Sequence, residues 1–127
     1  MGQVVRVSCE KCGKSKKLFI GGGFSDCDFD VIIAAMSDMQ KESLTNATKN
    51  GASDFSLSRY ACICQSCNSF YTAEKVTYLM DRKEKIEWSC CPDCGSVKRK
   101  LIDIETKKTK CTHCGELIET ELIGLWD

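Results

Sequence analysis

The stretch CPDCGSVKRKLIDIETKKTKCTHCG, residues 91–115, decides the fold class, because it begins and ends with a Cys-x-x-Cys pair. Two further pairs lie upstream, around residues 9–12 and 64–67. A structural zinc ion takes four thiolates in a tetrahedron, so four such pairs predict two four-cysteine sites. The predicted ligands are Cys9, Cys12, Cys64, Cys67, Cys91, Cys94, Cys111 and Cys114.

The residue that follows each pair supports the metal-site interpretation. Gly13, Gly95 and Gly115 follow three of the pairs, and Asn68 follows the fourth. A chain that leaves a zinc knuckle is expected to adopt a positive φ, which glycine does at little cost and asparagine tolerates. Each pair therefore has an exit residue that suits a knuckle.

The spacing of the pairs indicates which of them share an ion, since four pairs can be joined in three ways. Sixteen residues separate Cys94 from Cys111, which is within the range of a C-x2-C…C-x2-C ribbon. We therefore predict that the last two pairs form one ribbon in residues 82–127 and the first two pairs form another in residues 1–81. A crossed arrangement, with the first pair joined to the third and the second to the fourth, remains open.

The long segment between the first two pairs predicts an insertion in the first ribbon. Residues 17–20 predict a strand, and the three glycines that follow predict a break. Residues 28–45 predict a helix, which Ser25 and Asp28 would begin with a capping box. Its apolar face consists of Phe29, Ile32, Ile33, Met36 and Met39. Residues 46–58 are rich in Ser, Asn, Gly and Lys and predict a mobile loop.

The rest of the chain predicts short strands. Alternation at Val76, Tyr78 and Met80 predicts a strand, and residues 81–85 a charged turn. Residues 96–104 and 109–110 predict the hairpin of the second ribbon. The predicted fold class is a small, metal-stabilised α+β protein of two rubredoxin-like zinc-ribbon lobes, the first with a helical insertion.

Composition agrees with a metal-stabilised cytoplasmic protein. The chain has 127 residues, of which 43% are hydrophobic, and those include the eight ligands. Eleven cysteines, an odd number, would leave an unpaired thiol in an oxidising compartment, whereas a reducing cytosol favours metal thiolates. We find neither an apolar run of roughly 18 residues nor a signal-peptide pattern, so we expect no membrane partner.

Four residues with possible chemistry lie outside the predicted ligand set. Cys27, Cys62 and Cys90 are predicted to be small buried hydrophobic side chains. The alternative is a redox or third metal site that includes His113. We predict that this histidine, inside the last knuckle, lies at the surface and binds no metal.

Charge and exposed apolar residues indicate two candidate partner surfaces. Lysine plus arginine equals aspartate plus glutamate at eighteen each, and two zinc-thiolate sites would bring the net charge to about minus four. A local basic cluster is nevertheless expected in the second ribbon. Its residues are Lys98, Arg99, Lys100, Lys107, Lys108 and Lys110. Near the end of the chain, Trp126 is predicted either to cover the core or to contact a partner.

Three functions are compatible with these features. The first is a zinc-stapled protein-interaction or regulatory module whose partner is another protein. The second is a nucleic-acid-binding regulator that uses the basic hairpin 98–110. The third is an iron electron carrier, because the CPxCG motif at Cys91 is also the form in which rubredoxins hold iron. We predict no enzyme, since no catalytic triad, phosphate-binding loop or open metal position is apparent.

Several motifs together resemble a known group of proteins. Cys9-x-x-Cys12-Gly13 is followed by LFIGGGF at residues 18–24, and the CPxCG motif is followed near the end of the chain by GLWD at residues 124–127. In these motifs, and over most of the chain outside residues 46–58, the sequence resembles small bacterial proteins with two four-cysteine zinc ribbons. The resemblance implies a double-zinc fold and no particular activity. Single ribbons are also similar to those of transcription and translation factors.

Overall fold

The computed structural model describes residues 2–22 and 28–126. These residues form seven strands and two helices. In chain order they are β1 (Gly2–Cys9), β2 (Lys14–Gly21), α1 (Phe29–Ala35), α2 (Asp38–Lys49), β3 (Ser53–Cys64), β4 (Phe70–Met80), β5 (Lys83–Trp88), β6 (Arg99–Leu101) and β7 (Glu119–Trp126).

All seven strands belong to one antiparallel sheet. Its order is β5-β4-β3-β2-β1-β7, and β6 pairs with β3. Strands account for 49% of the structure and helices for 15%, so the predicted α+β class of two rubredoxin-like lobes with a helical insertion is wrong. Strands from both sides of the predicted boundary between residues 81 and 82 share the sheet. Among the described residues, no helix is long and apolar enough to cross a membrane.

Three successive hairpins build most of the sheet. β1 pairs with β2, β3 with β4, and β4 with β5. The β4–β5 turn consists of Asp81 and Arg82, which both have positive φ, at 54° and 65°. Two such residues form the tight turn that matches the twist of a hairpin. The predicted charged turn at 81–85 is therefore two residues long, and the strand predicted at Val76 lies within β4.

The predicted helix at 28–45 is two helices. Asp28 caps α1 by accepting a hydrogen bond from the Asp30 N–H over 3.0 Å. The backbone becomes extended at Met36, which ends α1. Ser37 then begins α2 with a capping box that includes Gln40. The predicted capping box at Ser25 lies outside the described residues. Because of this break, Met39 is 81% exposed and is not part of the apolar face.

The prediction of a mobile loop at residues 46–58 is wrong. α2 continues to Lys49 and ends before Gly51, whose φ is +94°. β3 then begins at Ser53. Phe55 and Leu57 contribute apolar side chains to the core under the helices, so residues that look polar in composition carry the period-two pattern of a strand.

The buried apolar side chains form three clusters. The central core joins β1 and β2 to the C-terminal half of β3. It contains Val5, Val7, Cys9, Leu18, Ile20, Ala61, Ile63, Phe70, Ile102, Cys111 and Ile118. The helix core joins both helices to the N-terminal half of β3 and the C-terminal half of β4. It contains Ile32, Met36, Leu44, Ala47, Leu57, Val76 and Tyr78. The knuckle core contains Cys62, Cys64, Tyr71, Ala73 and Cys91.

The hairpin predicted for residues 96–110 does not form. Only Arg99–Leu101 is a strand in this segment, and it pairs with Cys62–Cys64 at the edge of β3. Ile102 continues that contact, since its N–H donates to the carbonyl of Ala61 over 2.9 Å. Residues 96–110 therefore cross from one metal centre to the other. On this path the Lys107 N–H donates to the Asp103 carbonyl over 3.2 Å and the Asp103 N–H donates to the Thr109 hydroxyl over 2.8 Å, so the segment turns without forming the predicted strand pair.

Candidate metal centres

All four Cys-x-x-Cys pairs adopt the same knuckle. In each, the N–H of the exit residue donates to the carbonyl of the first cysteine, over 2.8 to 2.9 Å. The exit residues Gly13, Asn68, Gly95 and Gly115 have φ values of 69°, 62°, 75° and 79°. The prediction that each exit residue has a positive φ is thus confirmed. The turn directs both sulfur atoms of a pair toward the same candidate metal position.

The first metal centre consists of Cys9, Cys12, Cys111 and Cys114. Cys9 ends β1 and Cys12 lies in the turn before β2, so the β1–β2 hairpin presents both sulfurs. The other knuckle precedes β7, which pairs with β1. The Sγ atoms of Cys9 and Cys114 are 3.4 Å apart, and those of Cys12 and Cys111 are 3.8 Å apart.

The second metal centre consists of Cys64, Cys67, Cys91 and Cys94. The β3–β4 hairpin presents the first two, and the knuckle after β5 presents the others. The Sγ atoms of Cys64 and Cys94 are 3.5 Å apart, and those of Cys67 and Cys91 are 3.7 Å apart. Four sulfurs bound at about 2.3 Å around one zinc ion would be about 3.8 Å apart. Both groups therefore fit a tetrahedral metal ion.

The predicted pairing of the knuckles is wrong. Spacing joined the first pair to the second and the third to the fourth, but the sulfur atoms group the first with the fourth and the second with the third. The crossed arrangement does not form either. The centres are nested along the chain: the first joins ligands 99 positions apart, such as Cys12 and Cys111, and the second lies entirely between them.

Each centre has two buried and two more accessible thiols. The first cysteine of every knuckle is at most 2% exposed. In the first centre the other two, Cys12 and Cys114, are half-buried, whereas in the second centre Cys67 and Cys94 are exposed. A structural ion held by four thiolates leaves no free coordination position. Both groups are therefore suited to hold the fold together, and the second is the more accessible to solvent.

Hydrogen bonds prepare some of these thiols for metal binding. At Cys67, contacts with the hydroxyl and the N–H of Ser69 lower the thiol pKa to about 6. At Cys111, burial acts in the opposite direction, but N–H groups of Cys114 and His113 still lower the pKa to about 7. Burial and hydrogen bonds of the neighbouring thiols instead raise the pKa of Cys12 to about 12. Since metals bind the thiolate, proton competition against the metal is reduced at Cys67 and Cys111 and increased at Cys12.

Asn68 connects the two centres. It belongs to the knuckle of the second centre, and its side-chain Oδ1 accepts from the hydroxyl of Thr112 in the first centre over 2.9 Å. The Nζ of Lys14 donates to the Asn68 carbonyl and lies 4.8 Å from the Phe70 ring. These contacts border a surface depression of about 470 Å³ between the centres. The sequence singled out Asn68 only for its backbone conformation.

We expect Asn68→Ala to destabilise the protein more than Asn68→Gly. Both changes remove the bond to Thr112, at a cost of about 1 kcal/mol, but alanine adds about 1–2 kcal/mol of strain at positive φ. Denaturant unfolding of the two zinc-loaded variants measures the loss of stability in each. Gly13→Ala is the control for strain alone, because no atom within 4 Å would meet its added Cβ. Equal stability of Asn68→Ala and Asn68→Gly would show that backbone strain at this position contributes nothing.

The residues outside the ligand set occupy separate places. Cys62 is fully buried in β3, and burial raises its pKa to about 11, so the prediction of a small buried hydrophobic side chain is confirmed for it. Cys90 is half-buried, and Cys27 lies outside the described residues. His113 is exposed, as predicted, with Nδ1 3.5 Å from the Asn68 amide. Within the described part of the chain, neither four-cysteine group includes any of these residues.

In the basic cluster predicted at residues 98–110, Arg99 contacts other strands of the sheet, and the Nζ of Lys100 makes a long contact, 3.4 Å, with the Lys110 carbonyl. Lys98, Lys100, Lys107, Lys108 and Lys110 are exposed. Arg99 instead donates to the carbonyl of Ser89 over 2.9 Å and to the hydroxyl of Tyr71 over 3.3 Å. Its guanidinium also lies 5.1 Å from the ring of Trp88. The arginine therefore joins β6 to β4 and to the end of β5.

Trp126 lies against the sheet. Its indole N–H donates to the carbonyl of Ile20 over 2.9 Å and approaches that of Gln3 at 3.2 Å. The Arg59 guanidinium lies 4.9 Å from the ring. The side chain therefore packs on the ends of β1 and β2, and contact of Trp126 with a partner stays a prediction.

No protein-family model, curated protein or solved structure matches this chain. The two four-cysteine groups fit zinc-ribbon-like sites. The resemblance to small bacterial double-ribbon proteins stays a prediction, and the function has to be argued from the geometry of the chain itself.

Proposed function

We propose that the protein is a zinc-stapled, non-catalytic binding or regulatory module. The observation that carries this proposal is that eight cysteines form two complete four-sulfur groups, each with distances suited to a tetrahedral ion. Complete thiolate coordination leaves no position at which the metal could activate water or a substrate. The metals would stabilise the sheet, and the function would belong to the sheet surface.

The nested arrangement supports a structural role for both ions. The first centre fastens the β1–β2 hairpin to the knuckle before β7, so it joins opposite ends of the described chain. The second fastens the β3–β4 hairpin to the knuckle after β5. Structural zinc supplies on the order of 10–16 kcal/mol of apparent binding free energy per site, which exceeds the net stability of many domains. Removal of metal should therefore unfold most of the protein.

Metal analysis of protein purified without added metal tests this proposal. We expect two equivalents of zinc per chain, no colour, and cooperative unfolding when a strong chelator is added, followed by circular dichroism. Iron with a thiolate charge-transfer band would instead support the electron carrier, because four thiolates hold iron as well as zinc. A metal-free protein that keeps its fold would overturn the structural role of both centres.

A further inference from the structure

We propose that the open face of β3, β4 and β5 binds single-stranded nucleic acid. On this face, which we call the aromatic face, bases would stack on Tyr60 and Trp88, and Lys75 would contact phosphate. The proposal rests on the proposed function, since it names the partner of the zinc-stapled module. It differs from the predicted basic hairpin at residues 98–110, from which only Arg99 borders the aromatic face, through its contact with the Trp88 ring.

The strand register brings these residues together. Ser58 on β3 is opposite Lys75 on β4, and Lys75 is opposite Trp88 on β5. Residues that face each other across antiparallel strands point to the same side of the sheet, and Tyr60 lies two positions from Ser58 on that side. The next row is formed by Ser56, Thr77 and Ile86. Three strands thus contribute side chains to one face.

The aromatic rings form an accessible pair with a cation beside them. The ring centroids of Tyr60 and Trp88 are 5.5 Å apart, with an angle of 51° between the planes. Lys75 Nζ lies 5.9 Å from the first ring and 5.7 Å from the second. Tyr60 is 38% exposed, and Trp88 is half-buried because it also packs on the knuckle core. Single-strand binders combine such stacking surfaces with cations for the backbone.

The other side of these strands is occupied. Leu57 and Val76 lie in the helix core, under α1 and α2, and Ile63 and Phe70 lie in the central core. On the aromatic face, Ser58 lies opposite Lys75, and the side chains of Cys62, Tyr71 and Ala73 farther along the same side are buried in the knuckle core. The partner must therefore approach from the aromatic face if it uses these strands.

Charge favours a nucleic acid over a protein as the occupant. The cores of protein interfaces are depleted in charged residues, whereas here the Lys75 ammonium lies within 6 Å of both rings and the Arg99 guanidinium lies 5.1 Å from the Trp88 ring. On β4 and β5, the register places the acidic side chain of Glu84 on the aromatic face, opposite Leu79 at the far end. An anionic strand that stacks its bases is therefore complementary to the centre of this face. The overall negative charge of the zinc-loaded protein limits the affinity.

Fluorescence anisotropy of the zinc-loaded full chain tests the proposal with labelled deoxythymidine and uridine oligomers of about twelve nucleotides. We expect dissociation constants between about 1 and 100 μM at low salt, and weaker binding as salt rises. Tyr60→Ala should weaken binding roughly tenfold, and Tyr60→Phe should keep it, because stacking needs the ring and not the hydroxyl. Lys75→Gln should reduce the slope of log affinity against log salt by about 0.7.

Two matched controls lie elsewhere on the same sheet. Phe19 on β2 is 46% exposed, and the Nζ of Lys17 lies 5.7 Å from its ring. Phe19→Ala therefore breaks a pair of an aromatic ring and a cation that lies outside the aromatic face. Lys85→Gln removes a charge from β5 at a position opposite Tyr78, on the other side of the sheet. Neither change should alter the affinity by more than about twofold.

The outcomes separate the two proposals. Two zinc ions and a folded protein that binds neither oligomer would overturn the aromatic face as a nucleic-acid site and leave the zinc-stapled module intact. Binding that Tyr60→Ala does not weaken, or that Phe19→Ala weakens equally, would also overturn it. Tighter binding to uridine than to deoxythymidine would support the proposal and identify RNA as the ligand.

Discussion

Replacing Cys12 and Cys67 together with serine will remove both metal ions, whereas replacing Cys12 and Cys114 together will remove only one. The reason is the nested grouping: Cys12 and Cys114 belong to the same centre, and Cys67 belongs to the other. Each lost ion removes on the order of 10–16 kcal/mol of apparent binding free energy, the largest single change available in this chain. Native mass spectrometry in zinc-supplemented buffer counts the ions directly.

The single variants Cys12→Ser and Cys67→Ser are the controls, and each should keep one ion. The pairing that spacing predicted gives the reverse result for the double variants. There, Cys12 and Cys67 would share a centre, so their joint replacement would leave one ion, and the replacement of Cys12 and Cys114 would leave none. That reversed pattern would contradict the grouping in the structure.

The knuckles could be predicted from the sequence because their chemistry is local. Two thiols with two intervening residues, and a glycine or asparagine at positive φ after them, specify the turn without reference to the rest of the chain. Asn68 illustrates this, since the sequence predicts its backbone conformation and the structure confirms a φ of 62°. Its side-chain bond to Thr112 is a long-range contact that no local pattern indicates.

The pairing of the knuckles depends on a turn whose effect the spacing does not show. Asp81 and Arg82 form a two-residue turn, so β5 returns alongside β4 and carries Cys91 back to the knuckle at the start of β4. A recognised hairpin at this point would have predicted the second centre. The spacing between Cys94 and Cys111 suited a ribbon equally well, but the chain there adds β6 to β3 and continues to the first centre.

β3 was missed because composition conceals its pattern. Residues 53–58 contain three serines and an aspartate, which favoured a loop, yet Phe55 and Leu57 alternate with them and face the helices. Ala61 and Ile63 continue the same alternation toward the knuckle. The strand is stabilised by packing against α1, α2 and β4, which are tertiary contacts that outweigh local preference.

Arg99→Ala will destabilise the protein by about 2–4 kcal/mol, whereas Lys98→Ala and Lys100→Ala will change stability by at most about 0.5 kcal/mol. Arg99 makes charged hydrogen bonds to the Tyr71 hydroxyl and to the Ser89 carbonyl and packs on the ring of Trp88. Tyr71 is 1% exposed, so loss of the guanidinium leaves a buried hydroxyl without that partner. Denaturant unfolding of the zinc-loaded variants measures the difference.

A double-mutant cycle with Tyr71→Phe tests the physical cause. If the bond to the Tyr71 hydroxyl accounts for part of the cost, Arg99→Ala should cost about 1 kcal/mol less in the Tyr71→Phe background. Arg99→Lys keeps the charge but not the planar fork that reaches both oxygens, so it should recover only part of the stability. Equal and small effects at Lys98, Arg99 and Lys100 would contradict the structural role of Arg99, because all three side chains would then behave as surface cations.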